Sequence, residues 1–168
     1  MLVSLPPGVY TVHAQTVSGE AGVTHVELYE LDDTSELINI STRAFVGAGD
    51  AVLIPGTFLG TAPKRVLIRA VGETLGANFG VPGVLEDPVI EIVRVGETVP
   101  DYTNDDWGSE GNAAEIQAAT TEVFGFQLPP GSKDAVVLVD LPSGGFTFVV
   151  KGKSDATGVV LFELYVVP

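Results

Sequence analysis

Asp101, Asn104, Asp105 and Asp106 crowd into one short stretch, directly before the chain's single tryptophan, Trp107. Calcium takes about six to eight hard oxygen ligands, and closely spaced Asp and Asn side chains with loop carbonyls can supply them. The spacing matches neither an EF-hand nor a nonapeptide metal repeat. In a chain with 22 acidic residues the same stretch also reads as a solvated turn. Calcium is therefore the one cofactor these residues suggest, and otherwise none is expected. Two histidines, His13 and His25, fall on facing halves of an expected hairpin, on the face shared with Glu27, where imidazoles and a carboxylate could hold zinc. A later stretch that repeats this one carries Val149 and Leu161 at those places, so the fold does not require histidine there. Catalysis has little to stand on: there is no Gly-x-Ser-x-Gly elbow and no His-Glu-x-x-His. Glu86 and Asp87 are adjacent and would point to opposite sides of an extended chain, and the GAGD stretch at 47–50 lacks the helix and lysine of a phosphate cradle. No enzyme is expected.

The elements that must position these residues are short and extended. Residues 8–17 and 22–31 alternate apolar and polar side chains around Ser18-Gly19-Glu20-Ala21, the pattern of a β-hairpin, and Asp32-Asp33-Thr34-Ser35 reads as a linker. Strands are expected at 38–46, 51–59, 64–72, 89–95, 97–103, 134–140, 144–151 and 158–167, divided by Gly- and Pro-rich turns. Residues 73–88 read as an irregular loop with at most one short helical turn. Asn112, with Glu115 three positions on, marks the start of a helix over 113–123 that ends at Gly125. Its apolar face of Ile116, Ala119 and Val123 is narrow, suited to a sheet edge. Trp107 reads as a core or lid residue at one end of the sandwich.

The chain also repeats itself. Residues 1–32 lie over residues 137–168 without a gap, with Leu5/Leu141, Pro6/Pro142, Gly8/Gly144, Thr11/Thr147, Gly22/Gly158, Glu27/Glu163 and Tyr29/Tyr165 identical. The chain reads as one full repeat over 33–168, preceded by the tail of another, and Leu2-Val3-Ser4 aligns with the end of the 134–140 strand as if a longer array had been cut open. In the C-terminal copy Phe146, Phe148 and Val150 share one face, as do Phe162, Leu164 and Val166 on its partner strand. The N-terminal copy offers Tyr10, Val12 and Ala14, then Val26 and Leu28, so that two hairpins compete for one kind of site.

The strings INISTRAFVGAGDAVLIPGTFLG, PKRVLIRAVGETL, GVPGVLEDPVIEI, NDDW, LPPGSKDAVVLVDLPSGGFTFVVKG and TGVVLFELY, in that order, resemble a tandemly repeated β-domain of uncharacterised function in large secreted or surface proteins of environmental bacteria such as Verrucomicrobia and Planctomycetes. The resemblance implies export and repetition, and no catalytic residue. One departure is the run Val93-Arg94-Val95-Gly96-Glu97-Thr98, which shortens a glycine-rich corner of that domain and argues against an ion site there.

Composition sets the outer limits. With 168 residues, 45% hydrophobic and 18% charged, the chain can bury a sizeable core as one domain or as one domain plus an appendage. A net charge of −14 with only 8 basic residues argues against nucleic acid and anionic membrane surfaces as partners. No cysteine is present, so neither disulfides nor thiol chemistry enter. No signal peptide is visible, and no run is long enough for a membrane span.

The expected fold is all-β, an antiparallel β-sandwich of jelly-roll-like form with one short helix and an extra N-terminal β-hairpin at 1–32. Two functions are expected of it. The first is an extracellular or cell-surface structural and adhesive module, assembling end to end with itself or with neighbouring repeats as a filament or stalk. Strand or hairpin addition through Tyr10, Val12, Val26 and Leu28 would join the units. The alternative is a monomeric carbohydrate- or ligand-binding sandwich with the acidic loop and Trp107 at one end.

Overall fold

The structure, a computed structural model, describes residues 2–17, 19–20, 22–31 and 36–168. It divides the chain into two compact units, Met1–Glu36 and Leu37–Pro168.

In the second unit alternating runs become strands: β1 (Asn39–Val46), β2 (Gly56–Leu59), β3 (Lys64–Val71), β4 (Pro88–Arg94), β5 (Tyr102–Asn104), β6 (Ala135–Leu141), β7 (Gly144–Gly152) and β8 (Gly158–Val166). They form two four-stranded antiparallel sheets, ordered β1-β8-β3-β6 and β2-β7-β4-β5. Pairing of β1 with β8, β2 with β7, β3 with β6 and β4 with β5 is the jelly-roll order, so the expected sandwich is the observed fold. Period-two alternation decides what each face buries. Val66, Ile68 and Ala70 of β3 point between the sheets and join Ile90, Ile92, Phe146, Phe148, Val150, Val160 and Phe162 in the main core. Leu67 and Val71 point to the far side of the same sheet, where Leu75, Trp107, Ile116, Ala119 and Leu128 cover them in a second core. The molecule thus has a third layer, on the outside of the β1-β8-β3-β6 sheet.

That layer holds two helices, α1 (Glu73–Phe79) and α2 (Ala113–Glu122), where the sequence suggested one. α2 packs its Ile116 and Ala119 onto the sheet face rather than a sheet edge. Asn112 precedes it as expected, but makes no side-chain capping bond; its carbonyl accepts from Glu115 and Ile116 instead. α1 replaces the expected irregular loop, and its partner lies far off in sequence: Asp134 Oδ1 accepts from the backbone N–H groups of Gly72 and Thr74 at 2.8 and 3.3 Å. The helix ends on Gly80 in the left-handed region, φ 65°.

Other boundaries also move. The strand expected at 51–59 is paired only over Gly56–Leu59, with Leu53 bridging separately to Val150. The one expected at 97–103 shrinks to Tyr102–Asn104, because Arg94 to Glu97 close a turn on Gly96 at φ 94°.

The larger correction concerns the C-terminal pair. β7 pairs with β2 and β4, while β8 pairs with β1 and β3, so the two strands lie in different sheets. They form an arch across the sandwich, not a hairpin, and each is a central strand of its sheet. Phe148 and Phe162 meet across the core with ring centroids 5.6 Å apart. Alternation reveals a strand's two faces but is silent about its neighbours, which is why both arrangements fit the same sequence.

In the first unit no strand forms among the described residues, so the expected N-terminal hairpin is not seen there. Its Ser18 and Ala21 turn positions, and the linker at 32–35, lie outside the described residues. Tyr10, Val12, Val26 and Leu28 are 50%, 61%, 51% and 54% exposed, which leaves the apolar residues of both halves in water.

Candidate functional site

The acidic loop is built differently from a calcium cage. Asn104, the last residue of β5, is buried, and its amide is spent inside the fold: Oδ1 accepts from Val136 N–H at 2.9 Å, and Nδ2 donates to the Asp106 carbonyl at 3.3 Å. Lys153, from the turn after β7, places its ammonium 2.7 Å from Asp105 and 3.9 Å from Asp106, and the bond to Asp105 raises the lysine pKa. Asp101 turns towards Arg94, 3.9 Å away. Each expected ligand therefore already faces a cation or a backbone group. Among the described residues no group of three or more His, Cys, Asp or Glu side chains converges as a metal site.

Trp107 is 6% exposed and sits in the second core, not as a lid at the end of the sandwich. Its indole N–H faces the Pro129 carbonyl and Ser132 Oγ, each at 3.1 Å. A sugar finds no open tryptophan face there. His25 Nε2 lies 3.9 Å from Glu27 Oε1 on an exposed stretch, too far for a firm hydrogen bond.

Two polar clusters that sequence reasoning did not single out are the most buried in the chain. The first centres on Asp134, wholly buried, which ties three segments together. Besides capping α1, it accepts hydroxyl hydrogen bonds from Thr74 and from Ser132, the latter at 2.8 Å, while its own carbonyl accepts from Trp107 N–H at 2.9 Å. The second lies on the outer face of the β1-β8-β3-β6 sheet, where Arg69 of β3 is cross-strand partner to Glu163 of β8. Arg69 Nε stands 3.0 Å from Glu163 Oε2, off the N–H axis, and both side chains are almost fully buried. The guanidinium also donates from Nη1 to the Phe126 carbonyl at 2.9 Å and lies 4.3 Å from the Phe126 ring centre. A polar pair in the middle of a β-branched run was the one available signal: Arg69 interrupts VLIRAV, and Glu163 interrupts FELYV.

Tyr165 completes this second cluster, donating its hydroxyl to Glu163 Oε1 at 2.8 Å. Burial, then the Glu163 charge and the bond to it, push its pKa above the ordinary 10.0, against the opposing pull of Arg69. A phenol with a raised folded pKa contributes stability below the unfolded value, and that contribution is lost as pH rises, because the unfolded chain ionises first. The denaturant midpoint is expected to fall more steeply for the intact chain than for Tyr165→Phe between about pH 9 and 11.5. Parallel alkaline slopes for the two proteins would show that Tyr165 contributes none of the dependence.

The same tyrosine and carboxylate recur in the N-terminal copy, where the Tyr29 hydroxyl donates to Glu27 Oε1 at 3.1 Å. There the hydroxyl pKa is again raised, first by that hydrogen bond and then by the charge of Glu27. What the first unit lacks, in the described contacts, is an arginine against Glu27. The four residues expected to mediate assembly fall on telling positions: Tyr10, Val12, Val26 and Leu28 correspond to Phe146, Phe148, Phe162 and Leu164, all in the main core.

Comparison with protein families, with curated proteins and with solved structures finds no match to this chain. No helix among the described residues is long and apolar enough to cross a membrane.

Proposed function

We propose that this protein is a structural or adhesive module, extracellular or displayed on a cell surface and without catalytic activity, whose units are joined end to end through residues 1–31 into a filament or stalk. One observation carries the reading. The residues of the N-terminal segment whose repeat counterparts fill the sandwich core are themselves half or more exposed, so the segment holds an apolar face that calls for cover. Contacts of this kind are head to tail, and a head-to-tail contact that does not close into a ring propagates. The acidity agrees with it, since like charge keeps such modules apart except at their joining segment.

Light scattering coupled to size-exclusion chromatography tests the reading. Mass is expected to grow past a dimer as concentration rises, and to return to a single domain when residues 1–36 are removed. The 17.5 kDa monomer at every concentration would overturn end-to-end assembly by free chains.

A further inference from the structure

We propose that residues 2–31 are the closing arch of another jelly-roll domain, and that their partner is a β1–β6 scaffold like that of this chain, with an arginine in the place of Arg69. The proposal rests on the reading of this segment as the joining element, and it names what the segment joins.

Four features of the segment make sense only against such a scaffold. The first is the apolar pattern: Tyr10, Val12, Ala14, Val26 and Leu28 stand where Phe146, Phe148, Val150, Phe162 and Leu164 are buried between the sheets, with Thr24 in the place of Val160 as the polar exception. The second is Gly22. Its counterpart Gly158 must be glycine because a Cβ there would collide with the backbone of Val84 and Leu85, whereas a Cβ on Gly22 meets nothing within 4 Å. The space beside Gly22 would admit such a loop from the partner. The third is the Glu27–Tyr29 bond, which reproduces Glu163–Tyr165, the pair that in the C-terminal copy faces Arg69. The fourth is backbone hand: Gly19 has φ 77° and its counterpart Asp155 φ 60°, so a left-handed residue stands at the same position in both copies.

The arch correspondence favours a whole sandwich over docking at a sheet edge. A strand added to an edge pairs on one side and leaves its other half in water, and the edges here are β1, β6, β2 and β5. The counterparts of residues 8–16 and 22–30 are central strands of opposite sheets, so the segment needs a sandwich with both central places open. In the Leu37–Pro168 unit these places are occupied by its own β7 and β8. A second copy of this chain can therefore accept the segment only by exchanging its own β7–β8 arch, whereas a scaffold without that arch accepts it directly. Two departures show how such a scaffold differs: Val12 and Val26 replace the paired Phe148 and Phe162, which asks for larger neighbours, and Thr16 replaces Gly152, so the turn opens differently.

The test places a copy of residues 33–136 directly before Met1 of the complete chain, which puts the N-terminal segment in the register of residues 137–168. A control carries residues 137–168 in place of residues 1–32, and a repacked version carries Val12→Phe with Val26→Phe. Amide hydrogen exchange is read at residues 9–16 and 24–30. Exchange there is expected to slow by orders of magnitude relative to the 168-residue chain, most strongly in the repacked version. Arg69→Met in the added copy alone, and Glu27→Gln alone, should each lower the denaturant midpoint of the added domain, whereas Glu27→Gln in the 168-residue chain leaves its midpoint unchanged. If the control is protected while both test chains exchange as fast as the 168-residue chain, the proposal is overturned. Protection in the tandem together with a strictly monomeric 168-residue chain would sustain this inference while removing self-assembly by free chains.

Discussion

Replacing Arg69 by methionine is expected to lower stability by about 3–5 kcal/mol, as when one member of a buried ion pair is removed. The guanidinium touches the Glu163 carboxylate, the Phe126 carbonyl and the Phe126 ring, and all of these lose their partner together. Methionine fills much of the space but leaves Glu163, 6% exposed, facing only the Tyr165 hydroxyl among the described hydrogen-bond donors. Removing both charges, as Arg69→Met with Glu163→Leu, is expected to recover most of the loss, because no unpaired charge is left buried. Urea unfolding followed by Trp107 fluorescence measures this, since the tryptophan belongs to the same outer layer. If the single variant loses less than about 1 kcal/mol, the pair is not the anchor of that layer. The consequence reaches past stability: the pair marks the strand position at which Glu27 of a joining segment would meet its partner.

Asp134→Ala carries the second large expected effect, a loss of about 3 kcal/mol. The carboxylate accepts from Gly72 N–H, Thr74 N–H, the Thr74 hydroxyl and the Ser132 hydroxyl. The hydroxyls can turn elsewhere, while the two backbone groups at the start of α1 are left unpaired in a buried site. Trp107 reports the change directly, because its indole donates to Ser132, which in turn donates to Asp134. A shift in tryptophan emission of the folded state, together with the lower midpoint, is the expected pattern. Asp134→Asn keeps one acceptor oxygen and should cost about half as much. Equal stability of Asp134→Ala and the parent would mean that α1 is held by the packing of Leu75 alone.

Both clusters sit in the layer outside the β1-β8-β3-β6 sheet, and this bears on function. The inner core is generic, since any apolar arch of suitable volume can close it. The outer layer is particular: Arg69 accepts a strand that brings a glutamate to position 163, and the Val84-Leu85 backbone accepts one that brings a glycine to position 158. Glu27 and Gly22 are unchanged between the two copies, as are Leu5 and Leu28, whose counterparts Leu141 and Leu164 lie in the main core, while the three core phenylalanine positions carry Tyr10, Val12 and Val26.

How much of this was legible in the amino-acid order can be followed residue by residue. The apolar run VLIRAV and the alternation in GGFTFVV are local properties of the extended chain, and such runs were enough to place most of the strands and the all-β class. The repeat is likewise written in the order of residues, and needs no coordinates. The gathering of distant groups was not legible. Asp134 caps a helix that begins some sixty positions earlier, and without it residues 73–79 read as a loop. Asn104 looked like an ion ligand beside Asp105 and Asp106 until its amide was seen bonded to Val136 and Lys153 was seen on the aspartates. The sequence by itself determined the faces of the strands, the repeat and the absence of thiol chemistry, because these depend on neighbouring residues and on composition. Only the tertiary structure decided that β7 and β8 form an arch between sheets, because period-two alternation is the same whichever strand lies alongside, and the choice is made by hydrogen-bond partners far away in the chain.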